Sequence, residues 1–553
     1  MAIPELSVPA GDVVEADVCI IGAGPAGIAI ARELTGTDLR VCLLEGGGWT
    51  EEPDAQALAA STTVSEHHTA DALYHGRRRQ FGGTSQMWVH QTLPDNGRRS
   101  ARTLLPEPID FEQRDSLGVP GWPIGLDTLR PYYERAQWLW NRGTIDGYDD
   151  PAAWATPEAQ PITQPGGELT TRVCQYGPQD MWTTRYRDDL LDASNVELYL
   201  RANVVGLEPK PGGGVEKVIV AGPDGRRSEV RARAFVIAAG CIESVQLLLA
   251  DAERLGVKGA GNDLLGRWIS DHQEYRLGVM RPSSPDVFDR IGFYDIQQRG
   301  RILFSGILSL SERVKREHDL LNLKALLIPQ PSGYNSEAER SAKALTALKR
   351  RETPDHLLGH VRTLATHPAR TAAMVRLRTM EKDKLFREFR GGWSSPQVDR
   401  SRFGVIEIEV ATEQAPSAGN RIVLGTKRDR LGRRQPKLHW SWTSADKANL
   451  QASADRLTRA LSAAGLGRFE PWTGLDGAAR PVYTAIHHPM GGARMSDDPA
   501  TGVVDRDCRV HGVGNLFVAG SSVFPNAIGY ANPTLTVVAL AVRIADQLGK
   551  ELT

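Results

Sequence analysis

His488 and Asn532 are the residues whose types and spacing can do chemistry together. The histidine lies in His487-His488-Pro-Met-Gly-Gly-Ala-Arg-Met495. The asparagine follows 44 positions later, in Gly529-Tyr530-Ala-Asn532-Pro-Thr-Leu-Thr. An imidazole near its reference pKa of about 6.5 is largely neutral at pH 7 and can accept a proton. An amide can donate a hydrogen bond to a developing alkoxide without changing the net charge. Flanking one hydroxyl, the two can draw off its proton and steady the oxygen left behind. That is half of an alcohol oxidation; the other half needs a hydride acceptor. His487 is read as a packing or supporting residue. His272, in Gly266-Arg267-x-x-x-Asp271-His272, is read as structural.

The N-terminus contains an acceptor's signature. Asp17-Val-Cys-Ile-Ile21 is a short apolar run that reads as a buried strand, Ala26 to Leu34 has helical spacing, and Arg40-Val-Cys-Leu-Leu-Glu45 reads as a second buried strand. This is a βαβ unit with Gly22-x-Gly24-x-x-Gly27 at its first turn. Gly22 permits a tight turn, Gly24 leaves room for a pyrophosphate, and Gly27 lets the helix pack close to the strand. The free N–H groups of the helix start face the phosphates. Glu45, 18 residues past Gly27, can accept hydrogen bonds from a ribose diol.

That motif does not separate FAD from NAD, and two later turns favour FAD. In Gln80-Phe-Gly82-Gly83-Thr84-Ser85 a glycine pair precedes two hydroxyl side chains, which suits a second phosphate or a ribityl segment. The apolar run Asn515 to Gly520 ends in Gly520-Ser521, where the backbone can again approach a ligand. Three such turns suit a long cofactor whose ring reaches a second domain. Trp88 and Val89 are read either as a wall for that ring or as core.

Composition narrows the class. The 553 residues carry 66 basic and 67 acidic side chains, which offers no bulk attraction to nucleic acid or an anionic membrane. Five scattered cysteines without a C-x-x-C pair argue against a disulfide framework or a thiolate zinc site, and no metal site is expected. With no signal-like N-terminus, no twin arginine and no run of 18 apolar residues, the expectation is a soluble cytoplasmic protein without a membrane span.

Leu198 to Glu208, Val215 to Ala221 and Arg227 to Ala238 alternate like three antiparallel strands, and Pro533 opens a C-terminal helix. Nucleotide-binding signals are therefore dispersed. The expected fold is a discontinuous α/β Rossmann-like FAD-binding domain, from residues 1–90, 195–275 and 500–553. An α+β substrate domain with an antiparallel sheet would use 91–194 and 276–499. Within it, 334–391 reads as a helical insertion, with 13 Lys/Arg against 7 Asp/Glu and helical spacing at Leu357, Val361 and Leu364. It reads as a solvated excursion, with a lid, an oligomer arm or a docking surface for an electron acceptor as alternatives.

Taken in order, these motifs resemble the glucose–methanol–choline (GMC) oxidoreductase family, and within it the pyranose oxidase branch that includes bacterial C-glycoside 3-oxidases. The resemblance covers about 15–135, 195–275 and 404–550. It also rests on Gly121-Trp-Pro-Ile124, Leu129-Arg-Pro-Tyr-Tyr133 and Ala238-Ala-Gly240-Cys-Ile-Glu-Ser244. It implies His488 and Asn532 as the catalytic pair. It also implies flavin contacts from Gly22, Gly24, Gly27, Glu45, Gly82, Gly83, Val204, Gly520 and Asn532, beside Thr84 and Ser85 of the hydroxyl turn and Ser521. Some fungal members bear a histidine covalently joined to FAD where this chain has Met87, so the flavin is expected to be non-covalent. The implied activity is oxidation of a secondary alcohol of a sugar or glycoside, at pyranose C2 or C3, with oxygen or a quinone-like acceptor. The alternative is a non-sugar or antibiotic alcohol, such as one on an aminoglycoside.

Overall fold

The computed structural model describes residues 11–87, 90–92, 98–140, 147–162, 166–261, 263–334, 336–345, 348, 353–354, 356–366, 368–369, 371–372, 391–472, 480–482 and 486–553. Trp88 and Val89 lie outside the described residues.

Val13–Ile21 is central to a seven-stranded mixed sheet. It pairs in parallel with Val41–Leu44 on one side and with Arg227–Ile237 on the other. Val196–Tyr199 extends the sheet in parallel beyond Val41–Leu44. Arg227–Ile237 forks. Its end pairs in parallel with Leu516–Val518, and its start begins an antiparallel meander through Val215–Ala221 to Asn203–Pro209. The sheet thus gathers strands from three distant stretches of chain. Val41–Leu44, Leu516–Val518 and the ends of Val13–Ile21 and Arg227–Ile237 are buried on both faces, which explains their unbroken apolar runs; the edge strand Val196–Tyr199 exposes Glu197.

One expectation needs correcting. Leu198 to Glu208 is not one antiparallel strand but two strands, Val196–Tyr199 and Asn203–Pro209. The break falls at Arg201, whose φ of 52° lies in the left-handed region. Its N–H donates to Gly47 O at 2.9 Å and its guanidinium grips Glu52, so tertiary contacts hold a conformation that the local alternation does not foretell.

Pro25–Glu33 packs against the C-terminal helix Thr534–Leu552, which also contacts Leu126–Leu139. The Tyr133 hydroxyl meets Thr536 Oγ1 at 2.9 Å inside that layer.

The second body is a ten-stranded sheet whose pairings are all antiparallel. Its main path runs Arg468–Pro471, Gln273–Arg281, Val405–Thr412, Leu323–Gln330, Ile302–Leu310, Leu169–Pro178, Arg98–Thr103 and His90–Thr92. A third, small sheet joins the hairpin of Arg421–Arg428 and Arg434–His439 to Thr62–Val64. Within 334–391 the described part includes the helices Glu337–Leu345 and Leu357–Thr366. Ala338 and Ala342 are buried and the Tyr334 hydroxyl donates to Glu407, whereas Leu358 and Val361 are exposed. Among the described residues no helix is long and apolar enough to cross a membrane.

Candidate active site

The first turn of the seven-stranded sheet opens a cleft of about 1380 Å³, continuous with solvent. Gly22 has φ 109°, and a Cβ there would lie 2.6 Å from Ala238 O. A Cβ on Gly27 would lie 2.0 Å from Gly22 O, so the helix can approach the strand only with glycine there. Gly24, by contrast, has nothing within 4 Å of a built Cβ and lines the cleft. The glycine pair lies over this turn, where a Cβ on Gly83 would lie only 3.3 Å from Gly24 Cα.

Glu45 ends its strand beside the cleft and accepts from the N–H of Ala23 at 3.0 Å and of Gly47 at 2.8 Å. Burial raises its pKa, opposed by those N–H groups and by Arg79. Thr84, Val204, Gly520 and Ser521 line the cleft. Thr84 Oγ1 accepts from the Arg78 N–H at 3.4 Å, and Ser521 Oγ donates to Pro489 O at 2.7 Å. Gly27, Gly82 and Ser85 stand behind the lining and shape it. Ser85 is fully buried and its Oγ donates to Gly82 O at 2.6 Å, which holds the glycine turn.

The cleft fits FAD. The starts of Pro25–Glu33, Gly240–Leu255 and Thr534–Leu552 all border it, and none carries a side-chain cap. Free N–H groups and the positive ends of helix dipoles therefore border one space, an arrangement made for an anion such as a pyrophosphate. Arg77, Arg78, Arg79 and Arg433 add positive charge to the lining. Arg77 is paired with Glu243. Arg79 Nε and Arg433 Nη2, however, are buried without a hydrogen-bond partner among the described residues. Burial, and next the charge of Arg433, lowers the pKa of Arg79. Two neighbouring guanidinium groups with unspent donors call for an acceptor between them.

His487, His488 and Pro489 line the same cleft. Their segment is clamped on both sides. Met490 and Ser270 exchange N–H···O bonds at 3.0 Å, and Gly491 N donates to Ser521 O at 3.0 Å. Asp271 accepts from the backbone N–H of His488 at 2.7 Å and of His487 at 3.4 Å. Burial pushes the Asp271 carboxyl up to about 7, against the pull of those N–H groups.

Asn532, just before the C-terminal helix, lies with Nδ2 3.3 Å from His488 Nε2. Arg102 Nε, from the antiparallel sheet, donates to Asn532 Oδ1 at 3.2 Å. On the other side of the ring, His488 Nδ1 is 3.2 Å from His272 Nδ1. His272 Nε2 is 2.9 Å from Ala527 O. The two imidazoles meet edge to face, with centroids 5.2 Å apart. Burial foremost, then the proximity of His272 and Lys324, holds His488 well below the usual histidine pKa. Burial pushes His272 to about 4 and Lys324 to about 7. A neutral imidazole and an amide N–H thus stand together between the two sheets, where they can flank one hydroxyl.

Sequence reasoning paired His488 with Asn532 but missed Arg102, Asp271 and Lys324, and it read His272 as structural. The Gly-Arg-x-x-x-Asp-His run was visible; its contact with a histidine 216 positions later was not.

Residues 416–541 match the family described as GMC oxidoreductase, and residues 17–306, over half the chain, match that described as FAD dependent oxidoreductase. The fructose dehydrogenase large subunit of Gluconobacter japonicus is 24% identical over 98% of this chain and 99% of its own. Paromamine 6'-oxidase of Streptomyces fradiae is 25% identical over 97% and 92%, and C-glycoside 3-oxidase of Microbacterium trichothecenolyticum 23% over 98% and 97%. A solved structure of formate oxidase from Aspergillus oryzae shares the fold, at TM-score 0.51 and 16% identity over 98% of this chain and 100% of that one.

Proposed function

The chain belongs to the FAD-dependent oxidoreductases of the GMC family, which act on alcohols, and from that premise we propose that it oxidises a secondary hydroxyl of a sugar or glycoside to a ketone. The observation that carries this reading is the pairing of His488 Nε2 with the Asn532 amide at 3.3 Å, in a segment that lines the cleft. Full-length similarity to a fructose dehydrogenase, a paromamine oxidase and a C-glycoside oxidase supports a polyhydroxylated substrate.

FAD bound in the cleft supplies a two-electron, hydride-accepting centre. Its contacts are Gly22, Gly24, Glu45, Gly83, Thr84, Val204, Gly520 and Ser521, to which the unspent donors of Arg79 and Arg433 are added; Gly27, Gly82 and Ser85 shape the cradle from behind, and Asn532 stands beside His488. Residues 1–90, 195–275 and 500–553 form its domain, and the association is non-covalent because Met87 holds the position of the histidyl link. His488 accepts the hydroxyl proton at Nε2. Asn532 Nδ2 donates to the same oxygen and holds it while its charge develops. Lys324 and Arg102, whose charges reach His488, favour an oxyanion there and disfavour a protonated base. Together a positioned base and donor are worth roughly 100- to 10,000-fold in rate.

The finer reading is oxidation at C2 or C3 of a pyranose, a glycoside over a free sugar, with oxygen or a quinone-like compound as final acceptor, in the cytoplasm. A second reading, an amine-bearing sugar such as an aminoglycoside, is supported by Glu274. Its buried Oε2 has no partner among the described residues, and its charge reaches His487 and Lys324. A buried carboxylate oxygen without a donor suits an ammonium group.

Anaerobic titration tests these readings. Glucose, an O-glucoside, a C-glucoside, paromamine, a sterol and choline would each be added to the holoenzyme while flavin absorbance is followed. Bleaching by the glucosides supports the main reading, and bleaching by paromamine alone selects the second. Bleaching by the sterol or choline with every sugar inert overturns both.

A further inference from the structure

His488 is one link in a hydrogen-bond chain whose ends leave no choice of direction. Arg102 has only N–H groups to give, and its Nε donates to Asn532 Oδ1. The other end of that amide, Nδ2, is therefore the one that faces His488 Nε2, and an NH₂ group only donates. At the far end Ala527 O only accepts, so His272 Nε2, 2.9 Å away, carries a proton. His272 is 6% exposed and sits where Lys324 and Arg102 oppose a second proton. Its Nδ1 is then a lone pair, and His488 Nδ1 at 3.2 Å must be the donor. Both terminal groups are unidirectional, and every intervening group is oriented by its neighbour.

We propose that His272 is a positioning residue for the alcohol oxidation: by accepting from His488 Nδ1–H it holds His488 in the tautomer that leaves Nε2 unprotonated beside the Asn532 amide. The inference rests on the reading of His488 as the proton acceptor and deepens it. When the substrate O–H bond breaks, its proton forms an N–H bond at His488 Nε2 and goes no further. His488 Nδ1–H, now part of an imidazolium, keeps donating to His272 Nδ1, and His272 keeps its own proton on Nε2. A neutral imidazole thereby orients the base, while the buried Asp271 carboxylate bonds the backbone and not the ring nitrogens. Without an acceptor at Nδ1, only the 3.3 Å contact with the Asn532 amide opposes a proton on Nε2, and a ring protonated there can take nothing from the substrate.

Tautomers are read directly from nitrogen NMR of ¹⁵N-histidine-labelled holoenzyme, because a protonated ring nitrogen resonates far from an unprotonated one. His488→Asn identifies the His488 signals by their loss. Wild-type protein is expected to show His488 protonated at Nδ1 and bare at Nε2. His272→Ala is expected to lose that pattern and to slow flavin reduction at saturating substrate by about 10-fold or more, part of the roughly 100- to 10,000-fold that a positioned base contributes, with little change in half-saturation. His272→Asn, whose amide oxygen can accept from Nδ1, is expected to restore most of the rate. A proton on His488 Nε2 in the wild-type protein overturns the proposal, and that reading needs no substituted protein to fold. So does wild-type reduction by a flavin-loaded His272→Ala, or a His272→Asn no faster than His272→Ala at equal flavin content. If His488→Ala reduces its flavin at the wild-type rate, the underlying reading of His488 fails, which is a separate result.

Discussion

The backbone N–H of His488 donates to Asp271 Oδ1 at 2.7 Å, joining residues 217 positions apart. That bond fixes where the imidazole starts, just as His272 fixes how it is turned. Asp271 is nearly fully buried and also accepts from the N–H of His272 at 3.0 Å. One carboxylate thus anchors the backbone of both rings.

Asp271→Ala leaves those N–H groups without an acceptor. The expected cost is roughly 1–3 kcal/mol of stability for each N–H that stays buried and unpaired. Flavin reduction should slow as the His488 segment loses its anchor, while Asp271→Asn, which keeps an acceptor oxygen, is milder. Thermal melts with stopped-flow reduction on flavin-loaded protein check both; Asp271→Ala that melts and reduces like wild type refutes the anchoring role.

His488→Ala should keep FAD bound and slow flavin reduction by roughly 100-fold or more, since the proton acceptor is gone. Asn532→Ala should slow it less, because the amide only donates. His487→Ala should retain most activity, as its exposed side chain lies outside the Arg102–Asn532–His488–His272 chain. A crippled His487→Ala beside an active His488→Ala would shift the base by one position.

The rate of anaerobic reduction should stay level as pH falls through about 6.5, where an ordinary histidine protonates, and drop only at more acid pH. A base works unprotonated, and burial, with His272 and Lys324 nearby, keeps His488 so to lower pH. Stability follows the same sign. Below about 6.5 the unfolded chain takes up a proton that native His488 and His272 refuse, so stability present above that pH is lost on acidification. A stopped-flow profile and melts against pH test the two halves; an acid limb centred at 6.5 contradicts the first.

Acid-precipitated protein should release its FAD to the supernatant, because the Met87 thioether cannot form a histidyl bond. Arg79→Ala and Arg433→Ala should each loosen FAD by roughly 10- to 100-fold, the worth of a hydrogen bond from a charged donor. Flavin remaining after desalting, read by fluorescence, measures this. Flavin that stays with the precipitate would mean a covalent bond, and undiminished retention in both variants would mean that their free donors serve something else.

Two glycines of one motif should behave differently. Gly27→Ala places a Cβ 2.0 Å from Gly22 O and should destabilise the fold itself, by about 1–3 kcal/mol or more. Gly24→Ala meets no protein atom within 4 Å, so it should leave apoprotein stability unchanged and weaken only FAD binding. Melts of apoprotein beside FAD titrations separate them; equal loss of stability in both would contradict the geometry.

The nucleotide-binding turns were readable because their causes are local. An apolar run, glycines at fixed offsets and an acid at the next strand end are all set by the chain's immediate needs. The ten-stranded sheet was foreseen only as a type. Its strands Arg98–Thr103, Leu169–Pro178 and Ile302–Leu310 pair across long stretches of chain, and no short window reveals a partner so distant. The break at Arg201 escaped for the same reason, since Gly47 and Glu52 hold it there.

The sequence by itself determined which chemistry is at hand: a histidine, an amide and a glycine-rich cradle each belong to a motif carried within a few residues. Only the tertiary structure decided which way the histidine faces. Arg102 and Lys324 reach His488 from two strands of the antiparallel sheet, and Asp271 and His272 from the turn leading into a third. Hydrogen bonds act over about 3 Å, while the residues that make them here lie hundreds of positions apart, so their meeting is a property of the fold alone.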